Sequence, residues 1–134
     1  MKHEIVNPAS LGAPRGYSNG VLAPAGGRLL FVAGQIAWNA QQNIVSSEFA
    51  KQFGQALENA LTVVRAAGGE PEHVVRLTVY VTDKMEYAAA LREVGAEYRR
   101  LMAKHYPAMA LVEVKGLLDP EAKVEIEATA VLPA

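Results

Sequence analysis

Six stretches of the chain alternate apolar and polar residues, and two carry apolar residues at three- and four-residue spacing. This predicts strands and helices in the order β, β, β, α, β, α, β, β. Lys2 to Val6 alternates until Asn7-Pro8 ends it. Within the Gly-, Pro- and Ala-rich segment from Ser10 to Gly27, Tyr17 to Ala23 reads as an extended edge segment. Gly26-Gly27 turns into the strong strand Arg28 to Gln35, where Gly34 signals a bulge or a close approach to the backbone. After a polar loop from Asn39 to Ser46, Phe49, Phe53, Ala56, Leu57, Ala60, Leu61 and Val64 mark one face of a helix, with Ser47 as its cap and Gly68-Gly69 as its stop. Val74 to Val81 places Val75, Leu77, Val79 and Val81 on one side and Arg76, Thr78 and Tyr80 on the other. Asp83 with Glu86 forms a capping-box pattern for a second helix, whose buried face carries Tyr87, Leu91, Val94, Tyr98, Leu101 and Met102 and which Tyr106-Pro107 ends.

The last two stretches, Ala108 to Val114 and Lys123 to Val131, flank an insert with Gly116 and Asp119-Pro120 and read as an antiparallel pair. Their alternation groups Ala108, Ala110, Val112, Val114, Val124, Ile126, Ala128 and Ala130 on one face, and Met109, Leu111, Glu113, Glu125, Glu127 and Thr129 on the other. Two amphipathic helices cover only one face of such a sheet. The other, with Arg76, Tyr80 and three glutamates among apolar neighbours, suits neither solvent nor a monomer's core. Packing of sheet against sheet between copies of the chain resolves this, and makes the seams between copies the natural pockets.

The totals narrow the function. A chain of 134 residues, 51% hydrophobic and 20% charged, is expected to form a single domain spanning residues 1–134. It has no cysteine, so disulfides, thiolate nucleophiles and Cys-ligated metals are excluded. The start MKHEIVNP lacks the apolar core of a signal peptide and no run is long enough for a membrane span, so a cytoplasmic location without membrane contact is expected. A net charge of −1 gives no general attraction to nucleic acid, and no nucleic-acid partner is expected.

Glu125 and Glu127 share a face, roughly 6 to 7 Å apart along the strand. A carboxylate at a seam could act on a water or a substrate nitrogen; equally, both could pair with Arg76 as glue between strands or subunits. Tyr17 could offer its phenol to a ligand or pack flat on its loop, and Arg15 could anchor an anion or remain a solvated charge. His3, His73 and His105 fall in three different elements without ligand spacing, so no metal or cofactor is expected. His105 instead complements the C-terminal end of the second helix. Gly12, Gly16 and Gly20 lack the ending of a phosphate-binding loop, and there is no nucleophile elbow.

The segments GQI (Gly34 to Ile36), VVRLTVYVTD (Val74 to Asp83), YPAMALVEV (Tyr106 to Val114) and VEIEATAV (Val124 to Val131) resemble the RidA, or YjgF-like, family of reactive enamine/imine deaminases, over essentially the whole chain. The resemblance implies an α+β fold of the chorismate-mutase-like type, with a mixed sheet, two helices on one face and a homotrimeric barrel. It also implies three clefts at the subunit seams that take a small-molecule ligand, and no cofactor. Carried over to this sequence, Glu125 orients the hydrolytic water and Tyr17 holds the ligand as the catalytic pair. Ala33, Gly34, Met109 and Leu111 line the cleft, and Arg15 is the nearest candidate in the sequence for a replacement carboxylate anchor. Two of these depart from the family pattern: Met109 stands where an arginine would hold the substrate carboxylate, and Ala33 where a serine is common. Leu111 also replaces a common cysteine. The resemblance therefore implies an enamine or imine hydrolase with altered specificity; the alternative is a trimer that binds a small metabolite without turnover. A ribonuclease, reported in the wider family, is opposed by the near-neutral charge and the lack of a basic stripe.

Overall fold

The computed structural model describes residues 2–134. In chain order the elements are β1 (Glu4–Val6), β2 (Gly20–Leu22), β3 (Arg28–Gln35), α1 (Phe49–Ala66), β4 (Val74–Val81), α2 (Lys84–Ala89), α3 (Leu91–Met102), β5 (Ala108–Glu113) and β6 (Val124–Leu132), with short 3-10 turns at Ala9–Leu11 and Pro71–His73. The expected order of strands and helices is present, except that the second helix is divided at Ala90. Asp83 caps α2 as the capping pattern predicts, its carboxylate accepting from the Met85 amide at 2.9 Å. For α1 the cap position is Glu48 rather than Ser47, and Ser46 Oγ accepts from the Glu48 amide at 3.0 Å.

β1 and β2 form a small antiparallel pair, and the other four strands form a mixed sheet in the order β3-β6-β4-β5. β6 runs antiparallel to both its neighbours, and β5 runs parallel to β4 on the edge. The expected antiparallel pairing of the last two strands is not formed, because β4 lies between them. The connection through α2 and α3 is a crossover that returns β5 parallel to β4. The segment 114–123 then passes the end of β4 to reach its far side.

This topology corrects the face assignment of β5. Met109 and Leu111 pair with Leu77 and Val79, which pair across β6 with Ala128 and Ile126. Residues directly opposite in a sheet share a face, so Met109 and Leu111 belong to the helix-covered side. Ala108, Ala110 and Val112 join Arg76, Thr78, Tyr80, Glu125 and Glu127 on the open side. Glu113 also leaves the expected trio of glutamates: its Oε2 accepts from the Lys84 amide at 2.9 Å at the start of α2.

All three helices lie on one side of the sheet, where Phe53, Leu57, Leu61 and Val64 of α1 and Val94, Tyr98 and Met102 of α3 pack on Leu77, Val79, Ile126 and Ala130. One polar side chain is fully buried in this layer. Gln52 donates to Ser46 O (2.8 Å) and Glu121 O (3.0 Å) and accepts from the Lys123 amide (2.9 Å), so α1 ties together two loops distant in sequence. Asn59, also on α1, donates to Ile36 O (2.9 Å) and Trp38 O (3.0 Å), fixing the backbone that follows β3. At the edge, Ser18 bridges Ala108, and its amide donates to Pro107 O at 3.0 Å. The glycine-rich segment is thereby laid along the start of β5. His105 complements the end of α3 through its backbone, its amide donating to Met102 O at 3.0 Å, while its ring nitrogen Nε2 meets Val74 O at 2.7 Å and Tyr98 donates to His105 O at 2.6 Å. Among the described residues no helix is long and apolar enough to cross a membrane.

Candidate functional site

On the open face, the pairing of β3 with β6 shifts register between Val32 and Gln35, which places a bulge at Ala33-Gly34. The Glu125 side chain lies directly over Gly34. A Cβ at residue 34 would stand 2.7 Å from the Glu125 carboxyl carbon and 2.9 Å from its Cγ, so the close approach requires glycine. Glu125, Gly34, Ile36, Trp38 and the loop Leu118, Asp119, Pro120 enclose a cleft of about 380 Å³. Trp38 is held there by Asn59, and the loop is held by Gln52.

The two glutamates of β6 have different surroundings. Glu127 accepts the Tyr80 phenol at 2.6 Å. That bond, then the loss of water around the ring and the negative charges of Glu127 and Glu125, push the Tyr80 phenol above its ordinary pKa. Glu125 makes no hydrogen bond or ion pair among the described residues and is half-buried. Arg76, the expected partner of both, is exposed and forms no ion pair with either. A half-buried carboxylate without a protein partner, facing a cleft, is free to accept from a water or from a ligand N–H.

On the helix side, a second cavity of about 310 Å³ lies under α2 and α3. Phe53, Val79, Val94, Met109 and Leu111 form its apolar wall, Tyr87, Tyr98 and Tyr106 add aromatic surface, and Arg15, Gly16 and Arg99 stand at its rim. Burial pushes the Tyr98 phenol up strongly, with nearby Tyr106 adding to it, so this hydroxyl stays protonated as the donor to His105 O. Tyr98 and Tyr106 stack at 5.2 Å between ring centroids.

The expected site residues thus form two groups. Gly34 and Glu125 meet in the open-face cleft, while Arg15, Met109 and Leu111 meet in the helix-side cavity; within one chain the sheet separates them. Tyr17 lines neither, lying exposed beside Ser18 at the β5 edge, and Ala33 is exposed on the bulge. Trp38 and Arg99 were missed: one follows the strand in a polar loop, the other is one of several arginines on α3, and neither position carries a periodic signal. A larger cleft, about 720 Å³ between the 44–47 and 115–123 segments, holds none of the expected residues and is bridged by the Glu86–Lys123 ion pair at 2.7 Å. No cluster of three or more metal-ligating side chains occurs among the described residues.

Comparison with known proteins places this geometry. The family model described as Endoribonuclease L-PSP, which represents the YjgF/RidA family, matches residues 8–132. The chain belongs to the Rid family. Its Rid-family relatives include the 2-iminobutanoate/2-iminopropanoate deaminase of Escherichia coli K12, 35% identical over 108 residues that cover 78% of this chain and 80% of that protein. Among solved structures, the Rid protein YyfB from Yersinia pestis is 36% identical, with a TM-score of 0.86 over 98% of this chain and all of that one. E. coli TdcF, solved with bound serine, is 30% identical, with a TM-score of 0.66 over 90% and 91% of the two chains. The mixed sheet with its helical layer is the fold of these Rid structures.

Proposed function

We propose that the chain is a hydrolase of reactive enamine/imine intermediates with altered substrate specificity, acting as a homotrimer at the seams between copies. The observation that carries this reading is the Glu125 carboxylate, unpaired and lodged on Gly34 in an open cleft. It is supported by the deaminase named among the relatives, and by the amino acid bound to TdcF. In this reading Glu125 takes a proton from water as the oxygen attacks the imine carbon. The C=N electron pair moves to nitrogen and the proton passes from Glu125 to it, giving a carbinolamine; Glu125 then takes the proton of the new hydroxyl and delivers it to the nitrogen as the C–N bond breaks, so that ammonia leaves and the carbonyl forms. Tyr17, exposed at the β5 edge, holds the ligand. Because the cavity around Met109 and the cleft around Glu125 lie on opposite faces of one sheet, the complete site needs the cavity of one copy against the cleft of the next.

The test generates imines in solution with an amino-acid oxidase and follows ammonia. The purified protein is expected to release it faster than buffer alone, and Glu125→Gln to return it to the buffer rate. No acceleration with any imine would sink the proposal. Met109 favours a second reading, a non-catalytic metabolite-binding trimer, since a thioether cannot make the paired charge-assisted contacts of an arginine. That reading expects Glu125→Gln to keep its ligand affinity with no turnover in either form.

A further inference from the structure

The helix-side cavity lacks a cation on its strand wall but has two at its rim. Arg99 lies folded back over Gly95, one turn earlier on α3: a Cβ there would be 3.1 Å from Arg99 Nη1. Glycine inside a helix costs about 1 kcal/mol relative to alanine, and here its missing side chain leaves room for the guanidinium. The neighbouring Arg100 is occupied, with Glu97 at 2.8 Å and Glu58 at 3.9 Å. Arg99 and Arg15 form no ion pair among the described residues, and no carboxylate lines the cavity. Two free guanidiniums at the mouth of an uncharged pocket make a site for an anion with an apolar body. At about 30 Å³ for each water of liquid volume, 310 Å³ holds about ten waters. A branched aliphatic or phenyl side chain takes up a large share of that space; a methyl group leaves nearly all of it empty.

We propose that Arg99, with Arg15 lining the same cavity, anchors the carboxylate of an imino acid whose branched or aromatic side chain lies in the cavity beside Met109 and Leu111. That this ligand is a substrate rests on the deaminase reading; that it binds does not. The test uses the inert 2-oxo acids of leucine and phenylalanine beside pyruvate, with calorimetry on the whole protein. The two larger acids are expected to bind at least tenfold more tightly than pyruvate, and Arg99→Ala to lose at least tenfold of that affinity. Arg92→Ala, an exposed arginine on the same helix away from the cavity, is expected to change nothing. Equal affinity in wild type and Arg99→Ala, or a preference for pyruvate, overturns the assignment. If imines release ammonia equally well in wild type and Arg99→Ala, the anchor falls and the deaminase reading stands. If the acids bind through Arg99 while no imine is hydrolysed, the deaminase reading falls and the anchor stands.

Discussion

Gly34 and Glu125 form a pair in which one residue's lack of a side chain determines where the other's carboxylate lies. Alanine at residue 34 would put its Cβ 2.7 Å from the Glu125 carboxyl carbon, far inside contact distance, so the carboxylate must move. The position lies on an exposed bulge, which tolerates the extra methyl without disturbing the core. Gly34→Ala is therefore expected to leave thermal stability nearly unchanged while lowering ammonia release by about a hundredfold, the effect of displacing a reacting group by about 1 Å. Parallel melting and activity measurements check this; full activity in the variant would mean that the Glu125 position does not matter. Glu127 shows why the two glutamates could not be told apart in the sequence. Both alternate onto the same face, and although the register sets Tyr80 directly opposite Glu125, its phenol reaches diagonally to Glu127 and leaves Glu125 free.

Elements were legible where a single period dominates. The apolar spacing of α1 and the alternation of β4 and β6 predict their exposed and buried sides because each has one strongly apolar face; the exception is Val75, which a register shift between Val74 and Arg76 takes off the buried side in favour of Val74. β5 is different. In Ala108–Glu113 both alternating sets are apolar until Glu113, so the strand alone cannot say which face meets the helices, and its partner is fixed by a crossover that leaves no local trace. That ambiguity put Met109 beside Glu125 when the sheet separates them. The buried Gln52 was equally hidden, since one glutamine among the polar residues of an amphipathic helix reads as surface. Its three hydrogen bonds join α1 to the segments 44–47 and 115–123 on either side of the 720 Å³ cleft. Gln52→Ala removes all three and leaves backbone groups without partners in a dry environment, at a cost of about 3 kcal/mol. Chemical denaturation should read this as a lower midpoint with an unchanged slope. A loss below about 0.5 kcal/mol would show that water replaces the amide without penalty.

At the scale of the whole molecule, the open side of the sheet presents Phe31 at 74% exposure, opposite Thr129, and Leu29 at 64%, opposite Val131, with Val112 near the far edge. Single apolar residues on a surface are ordinary, but a sheet face carrying several beside half-buried glutamates favours a covering surface. Burying one such phenyl ring contributes about 1.5–3 kcal/mol, repeated in every copy of a symmetric assembly. A carboxylate at the same position would have to be dried without a cation opposite it, close to Glu127, and would oppose association. Wild-type protein is thus expected to sediment as a trimer, and Phe31→Glu as a single chain whose far-ultraviolet circular dichroism is unchanged, since the helices pack on the other face. The same variant is expected to lose ammonia release, because a lone chain keeps its cavity and its cleft on opposite sides of one sheet and cannot bring Arg99 and Glu125 to a single ligand. A monomeric variant with undiminished activity would place the chemistry within one chain and remove the reason for the seam.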